Sequence, residues 1–417
     1  MRLRSARGAV SPARTDVVVG ASSFSFSTTA GDAALRFPGV GLPTVPGRSF
    51  DLVVKGGRIE RFDAHASAAP NYLMFPPFAD LHVHANRAYT LAAGVPASLE
   101  HAIEMAHELA TRFTAADYAR HSTQLFAAAA RKGTMRIRTH ADVSIDCGLE
   151  ALQGTLAAAA AFADRLDIEV VAFASNSYDP VDAHAQRVLR EACALGAGFL
   201  GAVPAYYADS CASIDALLDL AVALGVPVDL HLDEHLDAAR SCSEYLAAAT
   251  RARGLEGRVT LSHGCAIAVL PHEARLRVAA ALARAGITVI VLPTTNLYLQ
   301  DRRSGAPAHR GLTAVKDLAA AGVNLRFASD NVRDAFFPYG SPDLLEIAHL
   351  TVMAAQVDSP ELLVRGICGG AAELAAGSEA NFVLVPGGSL TEVLAERPRR
   401  RVVVRRGIVC EDASPPV

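Results

Sequence analysis

The sequence predicts an α/β protein whose main part is a (β/α)8 barrel, on the basis of two features. Short runs of apolar, β-forming residues alternate with Ala- and Leu-rich helical stretches, which is typical of a parallel sheet with crossover helices. Eight such runs span roughly 270 residues, which is the usual size of this barrel. The runs lie at 73–84, 135–143, 168–175, 199–206, 227–234, 258–264, 288–295 and 324–331. A doubly wound open sheet is the alternative, but no Gly-rich phosphate-binding motif follows any of these strands.

The two ends of the chain predict a smaller β unit outside the barrel. Residues 1–45 are rich in Ser, Ala, Gly and Pro and form a poorly defined N-terminal segment for which we predict no structure. Residues 51–59 are typical of a hairpin with a Gly-Gly turn, and residues 381–385 and 401–409 are typical of strands. We therefore expect residues 46–72 and 376–417 to form a small β-sandwich and residues 73–375 to form the barrel.

Composition excludes several classes of partner. Of the 417 residues, 51% are hydrophobic, and the net charge of −4 provides no electrostatic basis for binding nucleic acid or an anionic membrane. No apolar run approaches the roughly 20 residues of a membrane span. The basic first residues are not followed by the apolar segment of a secretory signal. The seven cysteines are scattered without a C-x-x-C pair, which indicates reduced thiols and a cytoplasmic location.

Polar residues are concentrated where the predicted strands end. They are His82 and His84, His140, Ser175 and Asn176, Tyr206, His231 and Glu234, Ser262 and His263, Thr295 and Asn296, and Ser329, Asp330 and Asn331. The C-terminal ends of barrel strands form the active site in this architecture. One histidine at a strand end is usually a hydrogen-bonded structural residue. Five histidines and an aspartate at the ends of five strands instead indicate a metal site.

The lysine inventory limits the number of metal ions. Hydrolases of this architecture that hold two metals commonly bridge them with a carboxylated lysine from a barrel strand. The lysines of this chain are Lys55, Lys132 and Lys316, and none of them ends a predicted strand. We therefore predict a site for one metal ion.

These motifs give the chain a resemblance to the amidohydrolase superfamily and, within it, to the cytosine deaminase-like branch. The matching segments follow one another in order over most of the chain. They are His-Val-His at 82–84, Arg-Thr-His-Ala-Asp-Val at 138–143, Gly-Ala-Val-Pro at 201–204, Asp-Leu-His-Leu-Asp-Glu at 229–234, Val-Thr-Leu-Ser-His at 259–263, Ser-Asp-Asn-Val-Arg-Asp at 329–334, and Ala-Asn-Phe-Val-Leu-Val at 380–385.

The resemblance implies a metal-ligand set and an acid/base group. It implies that His82, His84, His231 and Asp330 bind one divalent metal ion, Zn or Fe, and three imidazoles with one carboxylate suit either metal. It also implies that Glu234 shuttles protons. An ordinary alternative for Glu234 is a role as an acid in the first turn of a helix beginning near His235.

Three further residues have roles that the resemblance implies or leaves open. His263 would orient or polarise the water, and Asp330 would accept a proton from that water in addition to binding the metal. His140 is either structural or placed behind the metal ligands. Asp233 and His235, which flank Glu234, are expected to face outward or to cap a helix.

The residues that contact the substrate differ from those of cytosine deaminase. His84 is followed by Asn86 and Arg87 where that enzyme continues Leu-Asp, Asn331 replaces an aspartate, and the segment 173–178 lacks a glutamine. We therefore expect a different heterocycle, with Arg87 or Arg333 contacting a carbonyl or carboxylate unless they form ordinary surface ion pairs. The candidate substrate-binding residues are Asn86, Arg87, Ser175, Asn176, Asn331 and Phe336.

The predicted function is hydrolytic removal of an amino group from a cytosine-like or related nitrogen heterocycle, releasing ammonia by metal-hydroxide attack. The alternative is hydrolysis of a cyclic amide or an N-alkyl amine of a related ring. A more distant alternative is a non-catalytic barrel stabilised by a metal, although such a site would need neither Glu234 nor His263. The expected partner is a small heterocyclic substrate, and the sequence also allows a homo-oligomer.

Overall fold

A computed structural model describes residues 34–67, 69–91, 95–302, 309 and 311–410, together with the backbone of residues 17–18. It confirms the predicted fold class. Eight parallel strands surrounded by helices form a (β/α)8 barrel, and strands from the two ends of the chain form a separate sheet that is mostly antiparallel.

Five strands precede the barrel, and all belong to the small sheet. They are β1 (Val17–Val18), β2 (Leu35–Leu42), β3 (Val45–Lys55), β4 (Arg58–Ala64) and β5 (Tyr72–Phe75). The predicted hairpin is the β3–β4 pair, and Gly56 and Gly57 turn it with positive φ angles of 58° and 74°. Strand β2 lies in the segment for which we predicted no structure. Register shifts after Phe37 and Val40 interrupt the alternation by which a strand is recognised.

The eight barrel strands follow one another around the barrel in chain order. They are β6 (Phe78–Val83), β7 (Thr134–Val143), β8 (Asp167–Ala174), β9 (Phe199–Ala202), β10 (Val228–Leu232), β11 (Val259–His263), β12 (Thr288–Val291) and β13 (Asn324–Phe327).

Prolines account for two differences from the predicted strands. The run 73–84 divides at Pro76-Pro77, so its first half is β5 in the small sheet and only its second half enters the barrel. The run 288–295 ends at Val291, because Pro293 begins a short helix that carries Thr295 and Asn296.

The barrel closes between its first and last strands at the residues of the predicted metal site. The backbone N–H of Asp330 donates to the carbonyl of His82 at 2.9 Å, and the N–H of His84 donates to the carbonyl of Asp330 at 3.1 Å. The seam of the barrel therefore fixes the relative positions of His82, His84 and Asp330.

Helices cover the outside of the barrel. They are α1 (Leu99–Ala110), α2 (Ala115–Arg131), α3 (Glu150–Ala161), α4 (Ala183–Leu195), α5 (Ser210–Leu224), α6 (Ser243–Ala252), α7 (Cys265–Val269), α8 (His272–Arg284), α9 (Pro293–Leu299), α10 (Val315–Ala320), α11 (Leu344–Ala355) and α12 (Pro360–Ile367), with α13 (Leu390–Glu396) following the barrel. Short 3-10 turns occur at Ala85–Arg87, Pro204–Tyr206 and Ala238–Arg240. In the part of the chain that the structure describes, no helix is both long and apolar enough to cross a membrane.

The last three strands complete the small sheet. Strands β14 (Phe382–Pro386), β15 (Val402–Arg405) and β16 (Ile408–Cys410) give the order β16-β15-β14-β5-β2-β3-β4, with β1 beside β2. This sheet has its own apolar core, which includes Phe37, Leu52 and Phe382. We propose that the small-sheet unit includes β1 and β2 and therefore begins before residue 46.

A buried ion pair joins the small sheet to the barrel. Arg401, directly before β15, donates to both carboxylate oxygens of Asp343 at 2.9 and 2.8 Å, and also to the carbonyl of Lys132. Lys132 precedes barrel strand β7, so the small sheet contacts the N-terminal ends of the strands. The opposite, C-terminal end is left open for a functional site.

Candidate active site

Histidine and aspartate side chains converge at the C-terminal end of the barrel. His82 Nε2 lies 3.6 Å and His84 Nε2 lies 3.5 Å from the same oxygen of Asp330, and the Nε2 atoms of His84 and His231 are 3.0 Å apart. All four side chains are buried. The structure thus brings together the four residues that the resemblance implied as metal ligands.

The donor atoms of this cluster fit a metal ion. His82 Nε2 and both carboxylate oxygens of Asp330 are buried without a hydrogen-bond partner. Buried polar atoms almost always have partners, so several orphaned lone pairs that face one another indicate a bound cation. Nitrogen and carboxylate donors of this kind suit Zn or Fe(II).

A hydrogen-bonded chain behind His82 holds its ring in place. Ser262 Oγ donates to Asp229 Oδ1 at 2.8 Å, so the hydroxyl accepts from His82 Nδ1, also at 2.8 Å. Asp229 in turn accepts from Arg138 at 2.9 Å. With its proton on Nδ1, His82 turns the lone pair of Nε2 toward the cluster.

His140 packs behind the cluster. Its ring centroid lies 4.1 Å from that of His82, and its Nε2 is 3.5 Å from Asp229. Burial lowers the pKa of His140 to about 4, with the charge of His82 acting in the same direction. The ring of His140 is therefore neutral at pH 7, and it lies next to His82, one of the four candidate metal ligands.

His263 is held by Asn296, a strand-end residue for which no role was predicted. Asn296 Nδ2 donates to His263 Nδ1 at 3.0 Å, while His263 Nε2 is buried without a partner and faces His82 and His231. Burial is the largest cause that lowers the pKa of His263, to about 3. A neutral imidazole that accepts at Nδ1 carries its proton on Nε2, which points toward the cluster.

Several residues at the strand ends have left-handed backbone conformations. The φ angles are 55° for Asp233, 75° for His263 and 61° for Asp330. Such conformations are unfavourable for residues other than glycine and are concentrated at functional sites. They occur where the chain leaves β10, β11 and the barrel seam, and they direct the side chains that follow.

Glu234 lies at the edge of the cluster, inside the cavity. Its Oε1 is 3.5 Å from His263 Nδ1, and its side chain is 10% exposed. Burial is the main cause that raises the pKa of Glu234 to about 8, and the carboxylate of Asp330 adds to it, whereas His82 and Arg87 act in the opposite direction. A bound metal cation would also lower this pKa.

The segment before α6 is held by Asp233, not by Glu234. Asp233 is buried and accepts from the N–H of Cys242 and from the hydroxyls of Ser241 and Ser243, which anchors the start of α6. The expectation that Asp233 faces outward was therefore wrong. No α-helix begins near His235 in this fully described segment, and Asp233 instead holds the residues that lead into α6.

A cavity of about 730 Å³, counting its opening to solvent, lies directly above the cluster. Helix α1 forms one apolar wall, through Leu99, Ile103, Ala106 and Ala110. His107 of the same helix reaches Asn176 Oδ1 at 3.1 Å. This wall could not be predicted from the sequence, because α1 lies in the connection between β6 and β7 and carries none of the site motifs.

The predicted substrate-binding residues differ in where the structure places them. Arg87, Ser175, Asn176, Asn331 and Phe336 line the cavity. The carboxamide of Asn331, however, is engaged by Thr295 at 3.2 Å and by Asp334 at 2.7 Å.

Two of the polar residues considered for substrate contact lie elsewhere. Asn86 is fully buried and donates to Asp142 at 2.6 Å, so its side chain does not line the cavity. Arg333 is exposed, with its guanidinium 5.8 Å from the ring of Tyr89.

Other cavity residues were not among the predicted site residues. Asp142, Ser144, Phe173, Val203 and Tyr206 line the same cavity. Asp142 and Tyr206 could have been predicted from the sequence, because they lie at or just after the ends of β7 and β9 and polar residues at strand ends face the site.

A (β/α)8 barrel with buried histidines and an aspartate converging at its C-terminal end defines the class of metal-dependent hydrolase barrels. The chain belongs to the amidohydrolase family, whose model matches residues 97–361. It is a hydrolase acting on carbon–nitrogen bonds other than peptide bonds, and the resemblance to the cytosine deaminase-like branch is confirmed.

Among curated proteins, the chain is similar to the pterin deaminase of Rhizobium rhizogenes (strain K84), with 31% identity over 391 residues and 88% of each chain covered. It is 26% identical over 315 residues to the N-isopropylammelide isopropyl amidohydrolase of Pseudomonas sp. (strain ADP), covering 71% of this chain and 74% of that one. Among solved structures, the 5-methylcytosine deaminase of Klebsiella pneumoniae with 5-fluorocytosine superimposes with a TM-score of 0.83 at 26% identity. The superposition covers 92% of this chain and 98% of that one.

Proposed function

We propose that this protein is a hydrolytic deaminase that removes an exocyclic amino group from a nitrogen heterocycle and releases ammonia, with one divalent metal ion at its centre. The observation that carries the proposal is the convergence of His82, His84, His231 and Asp330, with orphaned donor atoms, beneath a cavity that also contains Glu234. The similarity to a pterin deaminase and to a 5-methylcytosine deaminase supports the reaction type.

The four ligands are proposed to hold Zn or Fe, which when bound lowers the pKa of a water molecule and polarises it for attack. Lys132 forms an ion pair with Asp343 at 3.1 Å. Because Lys132 lies at the opposite end of the barrel, it cannot bridge a second metal ion. Metal analysis of the purified protein should give one equivalent of metal per chain. A ratio near two, or no bound metal at all, contradicts this part of the proposal.

Glu234 is the proposed proton shuttle. It takes one proton from the attacking water and delivers it to the ring nitrogen beside the reacting carbon. The second proton of that water passes through Asp330 to the amino group, so that the C–N bond breaks as the C=O bond forms and the amino group leaves as ammonia. A buried carboxyl with a pKa raised toward neutrality can both accept and donate a proton near pH 7. His263, neutral and held by Asn296, donates from Nε2 toward the water. Asp330 is proposed to bind the metal and to accept a proton from the same water.

Substitution Glu234→Gln tests this assignment. We expect turnover to fall by about 10²- to 10⁴-fold or more, because a carboxamide cannot exchange the proton, while bound metal is retained. The matched control is Glu244→Gln, which removes an exposed carboxylate ten residues further along the chain and should leave turnover unchanged. Full activity in Glu234→Gln would overturn the mechanism.

The substrate ring is best sought first among 2-amino-4-oxopteridines, because of the relative named pterin deaminase, and then among cytosine derivatives. An ammonia-release assay with supplied Zn or Fe is the direct test. Absence of ammonia from every aminated ring would contradict the proposed deamination.

A second candidate function is hydrolysis of an N-alkyl amine on a related ring. It is favoured by the similarity to the N-isopropylammelide isopropyl amidohydrolase and by the apolar wall of α1, where Leu99, Ile103 and Ala106 offer contacts for an alkyl group. Product analysis separates the two reactions, since the leaving group is an alkylamine in one and ammonia in the other.

A further inference from the structure

Arg87 places a guanidinium in the cavity wall between three fixed groups. It ends the short turn that follows the ligands His82 and His84. One terminal nitrogen lies 2.6 Å from His84 Nδ1, and its Nε lies 3.5 Å from Asp142 Oδ2. The guanidinium carbon lies 4.7 Å from the centre of the Phe336 ring. The side chain retains 18% exposure, toward the cavity.

The contact between Arg87 and His84 is incompatible with a metal ion on His84. A guanidinium has donors only, so His84 must accept at Nδ1 with a free lone pair. An imidazole that binds a metal through Nε2 carries its proton on Nδ1 and becomes a donor there. If His84 held the metal through Nε2, its Nδ1 could no longer accept from Arg87, and that terminal nitrogen would be free to donate to another acceptor.

Asp142 and Phe336 keep the released guanidinium at the cavity wall. Asp142 is held in place by Asn86, which donates to it at 2.6 Å. The backbone N–H of Phe336 donates to Asp334 at 2.9 Å, which fixes the loop under the aromatic ring. Arg87 Nε is buried without a hydrogen-bond partner, so Asp142 does not satisfy it fully. The terminal nitrogens, on the partly exposed end of the side chain, can donate into the cavity.

We propose that Arg87 determines specificity by donating to a carbonyl oxygen on the substrate ring, and that Asp142 acts as the positioning residue for Arg87. The substrate class is then an amino-heterocycle that also carries an exocyclic oxygen. A ring without that oxygen leaves a partly buried cation unpaired, which is how a polar site rejects an analogue. This inference rests on the proposed function, because it assigns the substrate of the same site.

The experiment compares 2-amino-4-oxopteridine with 2-aminopteridine, which lacks the exocyclic oxygen and the N3–H that accompanies it. We expect the unaltered enzyme to favour the oxo ring by roughly 10- to 150-fold in kcat/KM, the usual strength of a hydrogen bond to a charged group. Arg87→Met should reduce this preference to about threefold or less, mainly through a higher KM. Arg87→Lys should recover part of the preference, and Asp142→Asn should lower it to an intermediate value.

A binding measurement separates this inference from the proposed reaction. Calorimetry with 2,4-dioxopteridine and 2-oxopteridine on the metal-loaded protein reports carbonyl recognition without turnover. The matched control is Arg333→Met, which removes an exposed arginine from the neighbouring loop and should change neither affinity nor preference.

The preference, affinity and metal content of Arg87→Met together decide whether Arg87 recognises a carbonyl oxygen of the substrate. Loss of the preference for the oxo ring in Arg87→Met, with metal content unchanged, supports carbonyl recognition. This holds even if neither ring is deaminated, and in that case only the proposed reaction is contradicted. Equal losses on both rings, unchanged affinity for the dioxo ring, or loss of the metal in Arg87→Met would show that Arg87 instead supports His84, and would overturn the inference.

Discussion

Removing the Ser262 hydroxyl should weaken metal binding through His82 without touching any ligand. Ser262 accepts from His82 Nδ1 and donates to Asp229, both at 2.8 Å, and all three side chains are fully buried. Substitution Ser262→Ala leaves the N–H of His82 without an acceptor and Asp229 with one donor fewer. The ring of His82 then loses the contact that fixes its orientation and its protonated nitrogen.

The expected magnitude follows from these two lost bonds. A buried polar group left unsatisfied costs about 1–3 kcal/mol of unfolding free energy, and Asp229 keeps its ion pair with Arg138. Removing a partner behind a metal-binding histidine typically weakens metal affinity by about 10- to 100-fold. That factor corresponds to about 1.4–2.8 kcal/mol, similar in size to the cost of one unsatisfied group.

The assay is competition for Zn²⁺ between the protein and a chromogenic chelator, together with thermal unfolding. Ser243→Ala is a matched control, because Ser243 is also fully buried and donates to a buried carboxylate, Asp233, at 2.5 Å. Both variants should be destabilised, but only Ser262→Ala should lose metal affinity. Unchanged affinity in Ser262→Ala, or an equal loss in Ser243→Ala, would refute the role assigned to the hydroxyl.

Two further predictions concern stability. Burial tends to raise the pKa of Asp343, but the charges of Arg401 and Lys132 outweigh burial and lower that pKa below its ordinary value of 3.8. The stability that this ion pair contributes is therefore present above about pH 4. It is lost as pH falls through the pKa of Asp343 in the folded protein. Asp343→Asn should therefore lower the unfolding free energy by about 3–5 kcal/mol at pH 7 and by less at pH 3 in denaturant titrations, and an equal effect at both pH values would contradict this reasoning. Gly366→Ala would place a methyl group against the buried ring of Phe327, at the end of β13. It should lower the unfolding free energy by about 1–3 kcal/mol in the same assay. An unchanged unfolding midpoint would mean that the ring can move aside.

The fold and the metal site could be predicted from the sequence because both depend on local patterns. Alternating β and helical runs define a parallel sheet with crossover helices, and residue type at the strand ends indicates a metal site there. The resemblance to the amidohydrolase superfamily then singled out His82, His84, His231 and Asp330 as its ligands. The parallel arrangement then brings those ends together without further information. Strands β1 and β2 were missed, and the pairing of β2 with β3 has register shifts after Phe37 and Val40 that interrupt its alternation.

The arrangement around the ligands could not be predicted, because it depends on residues that are distant in the sequence. His82 and Ser262 are 180 positions apart, and only the closed barrel brings them within hydrogen-bond distance. The same holds for Asn86 and Asp142, which are 56 positions apart. Their contact turns Asn86 away from the cavity, although its position after His84 suggested a role in substrate binding.

The sequence by itself therefore determined the class of fold and the chemical class of the site, since periodicity and ligand type are properties of short segments. Only the tertiary structure decided which polar groups are already paired and which remain available. Asn331 is engaged by Thr295 and Asp334, whereas Arg87 lines the cavity with part of its side chain exposed, and its buried Nε has no hydrogen-bond partner. Hydrogen-bond satisfaction is a property of the packed environment, and substrate recognition depends on the groups that the environment leaves unsatisfied.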